Sequence, residues 1–202
     1  MSSPANKPRP GRRPGPTSTR EDILRAARLR FAQDGYDRAT FRNIAADASV
    51  DPALVVQFFG TKKDLFVAAT TSPVTLAELF EDTEAGDPAE AGLRLARLLM
   101  RWLEDDVARE ALVGRIRSAA SEPAAAELVR AMITEQITGV ARLMGGERPE
   151  VRASLLATHF LGVVFARFVV GLEPLASMDG QELATWLAPS FQLYLTGLPS
   201  LP

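Results

Sequence analysis

Cysteine is absent from the 202 residues, and histidine occurs once, at His159. Disulfides and thiolate metal sites are therefore excluded, as is any metal motif that needs two histidines. No glycine-rich loop of the phosphate-cradling kind is present, so neither a cofactor nor a metal is expected. With so few nucleophiles and bases, the composition argues against an enzyme. No run of about 18 uncharged apolar residues appears, so a membrane span is not expected. The N-terminus is basic but proline-rich and lacks an apolar core, unlike a secretory signal. The expected compartment is the cytoplasm.

Acidic residues are missing from the first 16 positions, "MSSPANKPRPGRRPGP", which carry five prolines and four basic residues, Lys7, Arg9, Arg12 and Arg13. With nothing apolar to bury, this stretch reads as a disordered basic arm. The asymmetry extends further. Residues 1–70 hold 12 Lys/Arg against 7 Asp/Glu, whereas residues 71–202 hold 11 against 18. A basic first third on an acidic remainder suits a polyanion-binding module joined to something else, although chance clustering gives the same totals.

What is present is helical. In "TSTREDILRAARLRFAQDGY", Thr19 caps a helix over about 19–34, Ile23, Leu24, Ala27 and Phe31 form its apolar stripe, and Gly35 ends it in a left-handed cap. Thr40 caps a short second helix, Ser49-Val50 forms a tight turn, and Asp51 with Pro52 opens a third helix that Gly60 closes. Thr61 caps a fourth, with Leu65, Phe66 and Ala69 on its inner stripe. Pro73 and "GDP" at 86–88 break the chain. Five further segments read as helices, over about 88–106, 107–120, 123–144, 149–170 and 179–196, with glycines after the last three. No alternating strand pattern and no repeat appears, so the fold class is all-α with about nine helices.

Two short helices joined by a tight turn make a helix-turn-helix, whose second helix enters the DNA major groove. Placing residues 51–59 at 100° steps puts Val55, Phe58 and Phe59 on one side and Ala53, Val56 and Gln57 on the other, with Leu54 at the flank. The outer face is small and bare. Gln57 suits a bidentate pair with adenine, and Ala53, Leu54 and Val56 suit thymine methyls. Leu54 and Phe58 have a second reading as core, which is preferred for Phe58. The N-terminus of the fourth helix, at Thr61 and Lys62, offers N–H groups to a phosphate. Arg9, Arg12 and Arg13 suit a narrow minor groove, or alternatively a solubilising tail.

The stretch "ILRAARLRFAQDGYDRATFRNIAADASVDPALVVQFFGTKKDLFVAA", Ile23 to Ala69, resembles the tetracycline-repressor (TetR) family of bacterial regulators. The ending "W…AP…YLTGL" is similar to an actinobacterial type. The resemblance implies DNA-contacting roles for Thr40 and Arg42 on the second helix, and for Pro52, Ala53, Leu54, Val56, Gln57 and Phe58 on the third. It implies a phosphate clamp at Thr61 and Lys62. Ser49 stands where the family usually has glycine, and Val56 where it often has a phosphate-binding tyrosine. The implied division is a basic arm over 1–16, a DNA-binding domain over 17–71, and a ligand-binding and dimerisation domain over 72–202.

The segment over 149–170 is apolar nearly all round and needs cover on both sides. With the last helix, where Pro189 should introduce a kink, it suits a two-fold four-helix interface, and the resemblance implies the same homodimer. Taken singly, Met100, Trp102, Arg115, Met132, Glu135 and Gln136 read as ordinary core or surface; the resemblance implies a cavity among helices 5–8, which they are candidates for lining. His159 and Arg167 stand inside the apolar run, where each is either structural or a ligand contact. The expected function is a homodimeric DNA-binding transcriptional regulator, a repressor released from a palindromic operator by an unidentified small molecule. The alternatives are an activator and an architectural DNA-binding protein without a ligand.

Overall fold

The computed structural model describes residues 16–72, 78, 87–144 and 146–196. Arg9, Arg12, Arg13, Pro73 and Gly197 lie outside them. Among the described residues there are nine α-helices and no strand. They are α1 (Pro16–Arg38), α2 (Phe41–Asp47), α3 (Pro52–Phe59), α4 (Lys62–Thr70), α5 (Ala91–Trp102), α6 (Asp106–Ser121), α7 (Pro123–Leu143), α8 (Pro149–Val164) and α9 (Gly180–Thr196). A 3-10 turn, Pro88–Glu90, leads into α5, and a π-helical turn, Phe165–Val170, extends α8.

Side chains start the head helices as their chemistry dictates. Thr40 Oγ1 accepts from the Asn43 N–H at 3.2 Å, Asp51 Oδ1 from Ala53 at 2.7 Å, and Thr61 Oγ1 from Asp64 at 3.2 Å. Each such cap contributes about 0.5–2 kcal/mol to its helix. The turn between α2 and α3 places Ser49 in the left-handed region at φ 55°, where a glycine would be unstrained. Gly35 departs from its expected left-handed cap. Its φ of 76° is joined to a ψ of 179°, and helical geometry resumes to Arg38. That combination is open essentially to glycine alone, and it bends α1 where the buried Gly35 meets Ser121 of α6.

The head core gathers Ile23, Phe31, Ile44, Val55, Leu65 and Phe66, all fully buried. Phe66 stands edge-on to Phe31 and Tyr36, with ring centres 5.0 and 5.2 Å apart. The cluster does not stop at α4. Val129 of α7 belongs to it, and Ala119 and Leu128 pack against it. The reading head is therefore seated on α6 and α7. A second core fills the remainder, around Leu95, Leu99, Phe160, Leu183 and Phe191.

Helices α5 and α9 approach most closely at Gly92. A Cβ there would lie 2.5 Å from both the Ala188 carbonyl oxygen and the Gln192 nitrogen, which are backbone atoms unable to step aside. The Gly92 N–H donates to Gln192 Oε1 at 2.7 Å. Gly92→Ala is therefore expected to destabilise the fold by about 1–3 kcal/mol, the usual cost of overpacking. Urea unfolding followed by circular dichroism checks this, and an unchanged midpoint would contradict it. Helix α9 continues through Pro189 to Thr196.

Helix α8 with its π turn, Pro149–Val170, is long and apolar enough to cross a membrane by length and composition alone, although Glu150, Arg152 and Arg167 keep it from being an uncharged run. It carries Arg152, whose guanidinium donates to the carbonyls of Glu147, Tyr194 and Leu195 and so ties α8 to the end of α9. Only 28% of its apolar window is buried within the chain.

Candidate nucleic-acid interface and interior cavity

Helix α3 presents a sharply divided surface. Val55 and Phe59 are buried, Leu54 and Phe58 half-buried, and Pro52, Ala53, Val56 and Gln57 exposed. Phe58 packs against the head core beside Phe59, with ring centres 6.3 Å apart. The exposed side carries no charge beyond Asp51, whose carboxylate is held by the Ala53 N–H. Thr40 and Arg42 of α2 are exposed as well.

At the start of α4, the Thr61 hydroxyl donates to Asp64 Oδ2 at 2.5 Å while accepting from the Asp64 N–H, so its hydrogen is engaged within the helix. The N–H groups of Lys62 and Lys63, in the first turn, remain available to an anion. Lys62 is held by its own domain: Nζ donates to the Asp37 carbonyl at 2.9 Å and lies 4.6 Å from the Tyr36 ring centre. Burial pushes its ammonium below the ordinary lysine value, opposed by Asp37 and Glu122. An ammonium has three donors, and only one is used by Asp37. The side chain is thus pre-set, and sequence spacing gave no sign of this anchoring.

Lys62→Ala is expected to weaken binding to every duplex about equally and to reduce the slope of log K against log salt by about 0.9, one phosphate contact. Fluorescence anisotropy at several salt concentrations measures it. An unchanged slope would leave Lys62 a purely structural residue.

A cavity of about 200 Å³ lies between the second half and the end of α4. Of the sequence candidates, Trp102, Arg115, Met132, Glu135 and Gln136 line it, and Met100, His159 and Arg167 do not. Met100 is buried in the core near Gly180. His159 packs edge-on to Phe191 and Tyr194 of α9, with ring centres 5.6 and 6.1 Å away, so its apolar helix face is the one covered by α9. Arg167 lies in the π turn with its guanidinium 5.4 Å from the Phe168 ring centre. Its Nε and Nη1 are buried without a hydrogen-bond partner.

The family resemblance placed the cavity among helices 5–8 and left out α4. Val67, Thr71 and Ser72, at and just beyond the end of α4, also line it. Their one signal is the spacing of Val67 and Thr71, four apart and off the stripe formed by Leu65, Phe66 and Ala69. Two arginines hold the same helix end: Arg28 Nε donates to the Ala69 carbonyl at 3.2 Å, and Arg115 Nη2 donates to the Thr70 carbonyl. Helix α4 therefore touches the cavity at its C-terminus and the candidate DNA surface at its N-terminus.

Two family models match the chain. Residues 23–69 match the family model described as bacterial regulatory proteins, tetR family, and residues 89–195 match the model of the tetracyclin repressor-like C-terminal domain. A solved TetR-family regulator from Streptomyces coelicolor A3 is 33% identical, with 93% of this chain and all of that one covered and a TM-score of 0.60. NalD of Pseudomonas aeruginosa, the secondary repressor of the MexAB-OprM multidrug efflux pump, shares the fold at 21% identity, with 89% and 96% covered and a TM-score of 0.66. The transcriptional repressor AcnR of Corynebacterium glutamicum is 34% identical over 68 residues, which are 33% of this chain and 36% of AcnR. The match thus spans about a third of that curated relative.

Proposed function

Because the chain belongs to the tetracycline-repressor (TetR) family of DNA-binding transcriptional regulators, we propose that it acts as a homodimeric repressor whose grip on a palindromic operator is released by a small molecule in the second half. Its work is binding rather than catalysis, and it takes place in the cytoplasm. The division proposed is a basic arm over 1–16, a reading head over 17–71 and an effector and dimerisation domain over 72–202.

The observation that carries this reading is the double placement of α4. A molecule filling the cavity meets Val67 and Thr71, and displacement of that helix end moves the α4 N-terminus, which flanks the recognition helix. A ligand weakens DNA binding only if it binds the DNA-free arrangement more tightly. Coupling of this kind is typically about 1–3 kcal/mol. An architectural DNA-binding protein has no use for such a cavity.

The dimer follows from what the single chain leaves exposed. Val151, Leu155 and Phe165 of α8 and its π turn, with Trp186 and Leu193 of α9, are large apolar side chains in contact with solvent. A two-fold pairing of α8 and α9 covers them and sets two α3 helices side by side. Within each head, Gln57, Ala53 and Val56 face the bases, and Arg42, Thr40 and Lys62 position the head on phosphate. Titrating a labelled palindromic duplex and its half-site tests the reading. Two protomers per palindrome and far weaker half-site binding are expected, whereas one protomer per site with equal affinities would contradict it.

A further inference from the structure

Among the side chains lining the cavity, Arg115 is out of keeping with its surroundings. Leu99, Leu112, Val140, Leu156 and Phe160 surround the same space. Arg115 donates from Nη2 to the Thr70 carbonyl, and its Nε is buried with no hydrogen-bond partner. No carboxylate forms an ion pair with it among the described residues. Glu135, the one acid on the lining, is exposed. Burial alone pushes the Arg115 guanidinium down to about 10, with no acid raising it. At neutral pH it therefore remains a cation. A desolvated cation without a counter-ion is costly to a fold, and an arriving anion relieves that cost.

Building on the ligand-responsive reading, we propose that the effector is a compact carboxylic acid whose carboxylate binds Arg115 and whose apolar body fills the cavity. The size follows from the volume. A cavity of about 150 Å³ accommodates benzene, so one of about 200 Å³ suits one ring or a short alkyl chain. The chemistry follows from the guanidinium, whose planar donors match a carboxylate better than any other side chain does. Arg117 and Arg167, the other arginines with buried unpartnered nitrogens among the described residues, do not line the cavity. The position of Arg115 also gives the charge a task. The guanidinium that binds the acid already holds the last carbonyl of α4, so the anion draws on the donor set that fixes the helix leading to the reading head.

The test is calorimetric titration of the full-length protein with phenylacetate and octanoate, each against its neutral amide. Hydrogen bonds to a charged group are worth about 1.5–3 kcal/mol, so the acids are expected to bind roughly ten- to hundred-fold more tightly than the amides. Arg115→Gln retains a donor for Thr70 but not the charge, and it should level the two series. Arg115→Lys should preserve the preference. Amides that bind wild-type protein as well as the acids do would overturn the assignment while leaving the ligand-responsive reading in place. A preference that survives Arg115→Gln would overturn it too, by placing the charge elsewhere. Absence of binding by both series would overturn the assignment as well, while leaving the ligand-responsive reading in place. The comparison of acid with amide on wild-type protein requires no variant to fold.

Discussion

Trp186→Glu is expected to leave each protomer folded, to convert the dimer into a monomer, and to lower operator affinity by orders of magnitude. Trp186 projects from α9 with 72% of its surface exposed, the most open of the large apolar side chains among the described residues. Its neighbours in α9, Ala184 and Leu187, are buried, so the helix is anchored without it. Burying a large apolar side chain contributes about 1.5–3 kcal/mol. A two-fold axis counts it twice, so roughly 3–6 kcal/mol is at stake, about 10²–10⁴-fold in the dimer dissociation constant. A carboxylate adds the cost of burying a charge. Sedimentation velocity separates the states, and circular dichroism checks that helicity is retained. A variant that stays dimeric at micromolar concentration would remove α9 from the interface.

The second large effect is at Gln57. Its side chain is exposed on a recognition surface that otherwise offers Pro52, Ala53 and Val56, so it is the one exposed group there able to make a bidentate pair with a base. Gln57→Ala is expected to cost about 1–3 kcal/mol per half-site, all of it in preference at one base pair, and twice that over a palindrome. Competition among single-base operator variants reads this directly. Wild-type discrimination falls away at that position only, and affinity for non-specific DNA stays the same. Discrimination unchanged at every position would exclude Gln57 from base contact.

These expectations draw on parts of the fold that were legible to different degrees. The caps at Thr40, Asp51 and Thr61 were readable because a side chain bonding an N–H two or three residues on is a local event. The faces of α3 were readable because 100° spacing fixes which residues share a side. Long-range contacts were not. The approach of α9 to Gly92, the Lys62 hydrogen bond to Asp37 and the Arg115 hydrogen bond to Thr70 join residues far apart in sequence, and no local pattern marks them. His159 and Arg167 show the same limit. Periodicity says that a polar residue lies in an apolar helix, not which neighbour covers it. The structure covers His159 with α9 and leaves Arg167 in a π turn that apolar spacing does not signal. The positive φ at Ser49 follows from the tight turn, whereas the extended ψ of Gly35 depends on α6 packing beside it.

Enrichment of bound duplexes from a random pool tests the central claim most directly, because neither the operator nor the effector has to be supplied. Two α3 helices presented by a two-fold dimer must read the same bases on opposite strands, with half-sites one helical turn or a multiple of it apart. The account predicts an enriched inverted repeat with that spacing, bound by two protomers for each pair of half-sites. An enriched site without two-fold symmetry, or a pool that stays random after repeated rounds, would contradict it.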